Sequence, residues 1–545
     1  MEIKKTVKGN IVDIHNRKIF AGEIVIENQK IKSISPVNEV FTNFILPGFI
    51  DSHVHIESSM ASPAEFGRAV IKHGTVATLS DPHEIANVLG VPGVDAMIEN
   101  AKHAPIKIFF GAPSCVPATP FETSGAEINS HGTKALMQRD DIYFLSEMMN
   151  YPGVLNNDQE VMLKIVAAKE NNKPIDGHAP GLSGDDARKY AQAGISTDHE
   201  SYDIDNALDK IEAGIKIQIR EGSAAKNFDE LIPLMREYPD MLMLCSDDLH
   251  PDDLMKGHID ILVRKAVNQG YDFFDVIRAA TLTPVQHYNI PVGTLKVNDP
   301  ADFIVVDNLK DFKTLQVYID GEEKYQAGKP VAAVPPIALK NNFNTNKISI
   351  EELNVPGKEG DRINVIGASD GSLITTKLIK PALISNGSIV SNIDDDILKI
   401  VVKNRYKNTP SAIGFIHGFG LRNGAIASTV AHDSHNIITI GTNDTDICKA
   451  INTLIEHHGG ICCAEDGEVE NMLPLPFGGL MSNKSIEDTS YLFYTNSIHV
   501  KKLGSNFKNP FITCSFMALL VIPTLKISDK GLFDSEQFKF SNLIL

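Results

Sequence analysis

The sequence predicts an α/β fold: a TIM-like (β/α)8 barrel with a flanking composite β domain and an additional C-terminal α+β domain. Three observations predict it. Eight short apolar runs alternate with amphipathic helical stretches over about 240 residues, close to the usual ~250-residue size of such a barrel. Polar residues stand at the C-terminal end of almost every run, where barrels of this kind carry their chemistry. Stretches with strand-like alternation lie on both sides of this central region.

Residues 11–34 read as short alternating runs, G-E-I-V-I-E-N-Q-K-I-K-S-I among them, interrupted by polar turns at 15–18 and 28–29. A period of two marks strands with one buried face. The texture returns at 293–306, G-T-L-K-V-N-D-P-A-D-F-I-V-V. Residues 1–45 and 293–330 are therefore expected to pair into one composite β domain.

The barrel is expected over 46–292, with strands at 44–50, 76–79, 106–111, 142–146, 175–177, 196–199, 216–218 and 242–245. Helical periodicity falls between them, clearest at 64–73, 158–171 and 259–270. A doubly wound open sheet would use the same elements; the polar strand ends favour the barrel. A Pro- and Asn-rich stretch at 329–347, with N-N-F-N-T-N, reads as a linker. Residues 348–545 follow as a separate domain mixing strands and turns, and no fixed-period repeat is visible.

At 545 residues the chain exceeds what one core supports. A net charge of -18 argues against a general affinity for nucleic acid or anionic membranes. Six scattered cysteines give no disulfide framework and no C-x-x-C pair. M-E-I-K-K-T-V-K-G-N lacks the apolar core of a signal peptide, and the apolar run at 516–523 is far short of a membrane span. A cytoplasmic location is expected.

The first barrel strand leads into His53 and His55 within G-F-I-D-S-H-V-H-I-E-S-S. Residues i and i+2 of a strand share a face, so both imidazoles can hold one ion. The fourth strand ends in Glu147, the fifth in His178, the sixth in His199 and the eighth in Asp247 and Asp248. Singly, each has a plainer role: a strand-end His is often just hydrogen-bonded, and Asp247 could cap a helix. Together they exceed the needs of one four-coordinate ion and suit two, with Glu147 placed to bridge. Burying such a set without a cation would be costly. An all-N/O donor set accepts Zn, Fe(II) or Mn(II). Cys245 reads as core packing.

The order H-x-H, strand-four carboxylate, His, His, Asp resembles the amidohydrolase superfamily. The segments D-P-H-E-I-A-N-V, S-C-V-P-A-T, G-H-A-P-G-L, D-H-E-S and C-S-D-D-L-H-P-D-D-L are similar to those of the bacterial and archaeal adenine deaminase family. So are A-H-D-S-H-N-I-I, L-P-L-P-F-G-G-L-M-S and V-I-P-T-L-K-I-S-D-K-G-L in the C-terminal domain. The resemblance covers nearly the full length. It implies a hydrolase of the C–N bonds of cyclic amidines that converts adenine to hypoxanthine and ammonia, in purine salvage and adenine catabolism. It also implies His53, His55, His178, His199 and Asp247 as ligands, Glu147 as the bridge, and Mn(II) or Fe(II) as the favoured pair of ions. Many relatives carry a carboxylated lysine at strand four; Glu147 separates this chain from them. Asn298 stands where relatives often have Gly, and Asn tolerates positive φ.

A metal-activated water would attack C6 of adenine, since a metal lowers the pKa of bound water to about 7. Asp247 would take the proton and pass it to ammonia. A second acid should serve a ring nitrogen, and Glu57, Glu84, Glu122 and Glu200 are the candidates. Each also has an ordinary structural role open to it. The expected partner is a small purine base, with no nucleic acid, no membrane, and self-assembly into a homo-oligomer. The alternatives are an amidohydrolase acting on another aminated heterocycle or a cyclic amide, and a non-catalytic scaffold with the same fold. His83-Glu84-Ile85-Ala86-Asn87 lacks the second His of a zincin helix, and no P-C-x-x-C of the other deaminase fold occurs. The segment His432-Asp433-Ser434-His435-Asn436 reads as a hydrogen-bonded turn, or as a piece that closes the pocket.

Overall fold

The computed structural model describes residues 5–223, 225–370 and 372–545. Strands β1 (Lys5–Asp13), β2 (Lys18–Glu27) and β3 (Lys30–Pro36) form an antiparallel meander. Its second turn carries Asn28 and Gln29 at φ 51° and 67°. Strand β4 (Phe44–Pro47) then pairs in parallel with β1.

Eight parallel strands follow: β5 (Phe49–Val54), β6 (Thr75–Ser80), β7 (Lys107–Ala112), β8 (Ile142–Met148), β9 (Ile175–Gly177), β10 (Thr197–Asp198), β11 (Lys216–Arg220) and β12 (Leu242–Cys245). β5 to β9 form one ladder and β10 to β12 another. The Ser196 amide donates to Ile175 O at 2.9 Å and joins the two. The ring closes where Asp247 N donates to His53 O at 3.0 Å and His55 N to Asp247 O at 3.4 Å. Every residue of β5, β6 and β12 is buried, as parallel strands covered on both faces require.

The single strand expected over 44–50 is two strands in different sheets. Gly48 stands between them, and a Cβ there would lie 2.1 Å from Val76 Cγ1, so only glycine lets the chain pass from one sheet to the other. After the barrel, β13 (Phe303–Val306), β14 (Thr314–Ile319) and β15 (Glu322–Gln326) complete the outer sheet in the order β15-β14-β13-β4-β1-β2-β3. Both flanks of the barrel thus contribute to one sheet. Asn298 has φ 73° and donates its amide to Ile31 O at 2.8 Å, so the turn survives without glycine.

The Asn-rich stretch has no regular structure, yet it is no free tether. Asn342 Nδ2 reaches Val88 O and Gly125 O of the barrel loops at 3.3 and 3.2 Å. The C-terminal domain is built on an eight-stranded mixed sheet with Ile397–Lys403, Ala412–His417 and Ile437–Gly441 at its centre. It docks on the barrel mouth: Ser482 N donates to Met60 O at 2.8 Å, Asn436 Nδ2 to Thr123 O at 2.9 Å and Asn509 Nδ2 to Ser223 O at 2.6 Å. One apolar cluster runs across the junction, including Ile85 and Val88 on the barrel side and Phe477 and Met481 on the other. Among the described residues no helix is long and apolar enough to cross a membrane.

Candidate metal centre

The six residues expected as ligands, His53, His55, Glu147, His178, His199 and Asp247, meet at the barrel mouth. His53 and His55 bring their Nε2 atoms within 3.2 Å of each other. Both face Asp247 Oδ1, at 3.5 and 3.3 Å. Asp247 adopts φ 55°, a left-handed conformation that turns its carboxylate back over the first strand. The His199 ring stacks on His53 with centroids 4.1 Å apart.

Glu147 lies between two groups of imidazoles. Its Oε2 is 2.8 Å from His178 Nδ1 and 3.0 Å from His199 Nε2. Its Oε1 is 3.7 Å from His55 Nε2 and 3.5 Å from His83 Nδ1. Burial pushes this carboxyl up, but His178 and His199 more than offset that and hold it well below the usual range. It is a carboxylate with one oxygen for each side of the centre.

Histidine tautomers test whether the group fits a cation. His55 Nδ1 lies 3.2 Å from Asp81 O, an acceptor, so Nδ1 carries the proton and Nε2 offers its lone pair inward. That is the arrangement of a metal-ligating histidine supported from behind. Nε2 of His53 points at the same spot, and its Nδ1 is buried without a partner among the described residues. Nitrogen lone pairs and carboxylate oxygens converging in a dry site fit divalent cations; His53, His55 and Asp247 form one compact ligand group and His53, Glu147 and His199 another.

The supports are layered below. Asp51 accepts from Ser246 N at 3.0 Å and lies 2.8 Å from His258 Nε2. Lys210, fully buried, donates to Asp198 Oδ1 and to Ala179 O, each at 2.7 Å, while Asp198 Oδ2 accepts from Ala179 N at 2.8 Å. This pair staples the loop carrying His178 to the strand carrying His199. Gly177 permits the approach, since a Cβ there would sit 2.4 Å from Thr197 O.

Two residues of the site escaped the sequence reading. Arg220, at the end of β11, donates to both carboxylate oxygens of Glu200 and, at 2.6 Å, to Asp247 Oδ2. Burial raises the carboxyls of Glu200 and Asp247, but Arg220 overcomes it, bringing Glu200 to about 2 and Asp247 well below the usual range. Its signal was present: an Arg closing the alternating run K-I-Q-I-R at a strand end. His83, weighed above only as half of a zincin motif, lies 3.3 Å from Asp81 and edge-on to His55 at 4.7 Å. It joins His55, Asp81 and Glu147 in a further ligand group.

The four candidate acids scatter. Glu84 and Glu200 line the cavity over the centre; Glu57 and Glu122 do not. Glu57 Oε1 accepts from Ile85 N at 3.1 Å, and burial lifts this carboxyl to about 7. Glu122 is buried beside Thr119. Glu84 is held from the C-terminal domain by His432 Nδ1 at 2.5 Å and by His435 Nε2. His435 Nδ1 accepts from Ala431 N at 3.3 Å, so Nε2–H is its donor and this trio is a hydrogen-bonded brace. Asp248 accepts from Ser58 Oγ, and Cys245 is fully buried in the core. Asp433 also lines the cavity; burial, with Glu84 near, lifts its carboxyl to about 6.

Comparison with known proteins agrees with this architecture. Residues 44–324 match the amidohydrolase family, and residues 372–539 match the adenine deaminase C-terminal domain. The chain is 48% identical over 553 residues to an adenine deaminase of Methanosarcina mazei, covering 99% of both chains. It is 49% identical over 538 residues to one from Salinibacter ruber, covering 98% of both. Identity is also 49% over 539 residues to one from Parabacteroides distasonis, covering 99% of this chain and 98% of that one.

Proposed function

Because the chain belongs to the adenine deaminase family, whose reaction hydrolyses adenine to hypoxanthine and ammonia, we propose how its residues divide that work. His53, His55, Glu147, His178, His199 and Asp247 would hold two divalent cations, with Glu147 offering one oxygen to each side of the centre. The observation that carries this is the split of Glu147, one oxygen toward His178 and His199 and the other toward His55 and His83. Bound there, such ions lower the pKa of water to about 7 and so supply a nucleophile at neutral pH.

The chain's own groups do the rest. Asp247 starts ionised because Arg220 holds its Oδ2, and its Oδ1 faces the centre to accept the nucleophile's proton and return it to the departing ammonia. Glu200 completes the bidentate grip on Arg220 and so fixes the aim of Asp247. The apolar side chains Phe516 and Leu519 of the C-terminal domain cover the cavity and exclude water from the ring.

The all-N/O donor set accepts Mn(II), Fe(II) or Zn(II), and the kinship with the adenine deaminases favours Mn(II) or Fe(II). The work is divided by domain: residues 46–292 carry the centre, the composite sheet of 1–45 with 293–330 buttresses them, and 348–545 closes the pocket. A role in purine salvage in the cytoplasm, as a homo-oligomer, completes the proposal. The test is a substrate panel on purified protein loaded with Mn(II), followed by ammonia release. Adenine turnover is expected; hydrolysis of a cyclic amide with no adenine turnover would overturn the assignment.

A further inference from the structure

The chemistry calls for a polar contact to the purine ring, and the four glutamates considered for it are engaged elsewhere. Glu57 and Glu122 lie off the cavity. Glu84 is braced through both oxygens by His432 and His435, and Glu200 is gripped through both by Arg220. A different carboxylate remains.

Asp433 stands on the loop of the C-terminal domain that follows the strand Ala425–Ser428. It lines the cavity above the centre together with Glu84, Glu147 and His83. Only 3% of it is exposed, and its Oδ2 has no hydrogen-bond partner among the described residues. Its Oδ1 is 3.9 Å from His432 Nδ1, which is already committed to Glu84. A buried acceptor without a donor carries a large desolvation cost, and native structures leave few such groups without a role. Phe516, Leu519 and Ile522 line the same cavity and form an apolar part of its wall beside the charged groups of the barrel mouth.

An ionised carboxylate only accepts hydrogen bonds, so its partner must bring an N–H. Adenine has two places that carry one: the exocyclic amine, which must sit at the centre to be displaced, and the imidazole ring. We propose that Asp433 is a specificity residue of the site, accepting the imidazole N–H of the free purine base. This rests on the adenine deaminase assignment and deepens it: the C-terminal domain distinguishes a free base from one substituted at that nitrogen. The brace of Glu84 by His432 and His435 then has a purpose, since it fixes the loop from which Asp433 projects.

Two ligands isolate that contact. 7-Deazaadenine keeps the imidazole-side N–H, and its furo counterpart puts an oxygen in its place at nearly the same shape. Their dissociation constants are measured by calorimetry on wild type, Asp433→Asn and Asp433→Ala, with metal content and melting temperature as controls. Wild type should prefer 7-deazaadenine by about tenfold to 100-fold, the range for a hydrogen bond to a charged group. Asp433→Ala should bring the two ligands to equality, and Asp433→Asn, whose amide oxygen still accepts, should keep part of the preference. A ratio near one in wild type, or an unchanged ratio in Asp433→Ala, overturns the proposal. Wild type that binds both ligands yet releases no ammonia from adenine overturns instead the deaminase assignment on which it rests.

Discussion

Arg220 donates from Nη1 to Asp247 Oδ2 at 2.6 Å, and both side chains are almost wholly buried. The contact joins the seventh strand of the barrel to the residue that closes its first strand against its eighth. It also takes one oxygen of Asp247 out of play, which leaves the other for the centre.

Replacing Arg220 therefore uncouples three groups at once. Arg220→Met should cost about 3–5 kcal/mol of stability, the usual penalty for stranding a buried charge. Turnover should fall at least tenfold, and Arg220→Lys should recover little, because one ammonium cannot reproduce the fork that holds Glu200. Thermal unfolding and kcat measured on the same preparations check both.

Asp247→Asn keeps the shape of the site but removes its proton acceptor. A loss of about 10²–10⁴ in kcat is expected, the range for a positioned acid–base group. Metal analysis decides the meaning: normal turnover with both ions bound would refute the proton-transfer role.

Glu147→Gln tests the bridge. A neutral amide cannot balance two cations, so bound metal after Mn(II) loading should drop from two ions per chain toward one or none. Retention of two tightly held ions would show that Glu147 does not bridge.

Lys210 lies outside the ligand set, yet its bonds to Asp198 and Ala179 tie together the segments bearing His178 and His199. Lys210→Met should cost about 3–5 kcal/mol by leaving the buried Asp198 without its counter-charge. It should also weaken metal binding by roughly 10–100-fold, as loss of outer support does. Chelator competition would measure the second effect directly.

Lys526 supplies a pH dependence away from the metals. It is fully buried, donates to Leu373 O at 2.8 Å and Phe516 O at 3.0 Å, and burial lowers its pKa to about 7. The folded pKa is below the unfolded value of 10.5, so burying the ammonium penalises folding fully below pH 7. That penalty shrinks as pH rises from 7 toward 10.5. Relative to Lys526→Met, wild type should gain about 1 kcal/mol per pH unit across this window, read from urea midpoints. A pH-independent difference would mean the ammonium is not buried in the folded state.

Much of the barrel could be read because its signals are local. A short strand rich in β-branched and apolar residues such as T-V-A-T-L-S and a polar cluster after its C-terminal end are both visible in a few residues. The runs at 175–177 and 242–245 have the same bounds in the structure. The split at Gly48 could not be read, because it depends on Val76 pressing from another strand. His83 and Arg220 were passed over for the same reason: what marks them is proximity to Glu147 and Asp247, not spacing in the chain.

The sequence by itself determined which residues could be ligands, because strand periodicity and strand ends are properties of neighbouring residues. It determined the kinship as well, through segments long enough to be specific. Only the tertiary structure decided how those residues are held and aimed. Glu147 presents one oxygen to each side, Arg220 takes one oxygen of Asp247, and a loop hundreds of residues away lowers Asp433 into the cavity. Those outcomes depend on distances of a few ångströms between elements remote in sequence, and charge and hydrogen bonding act at that range.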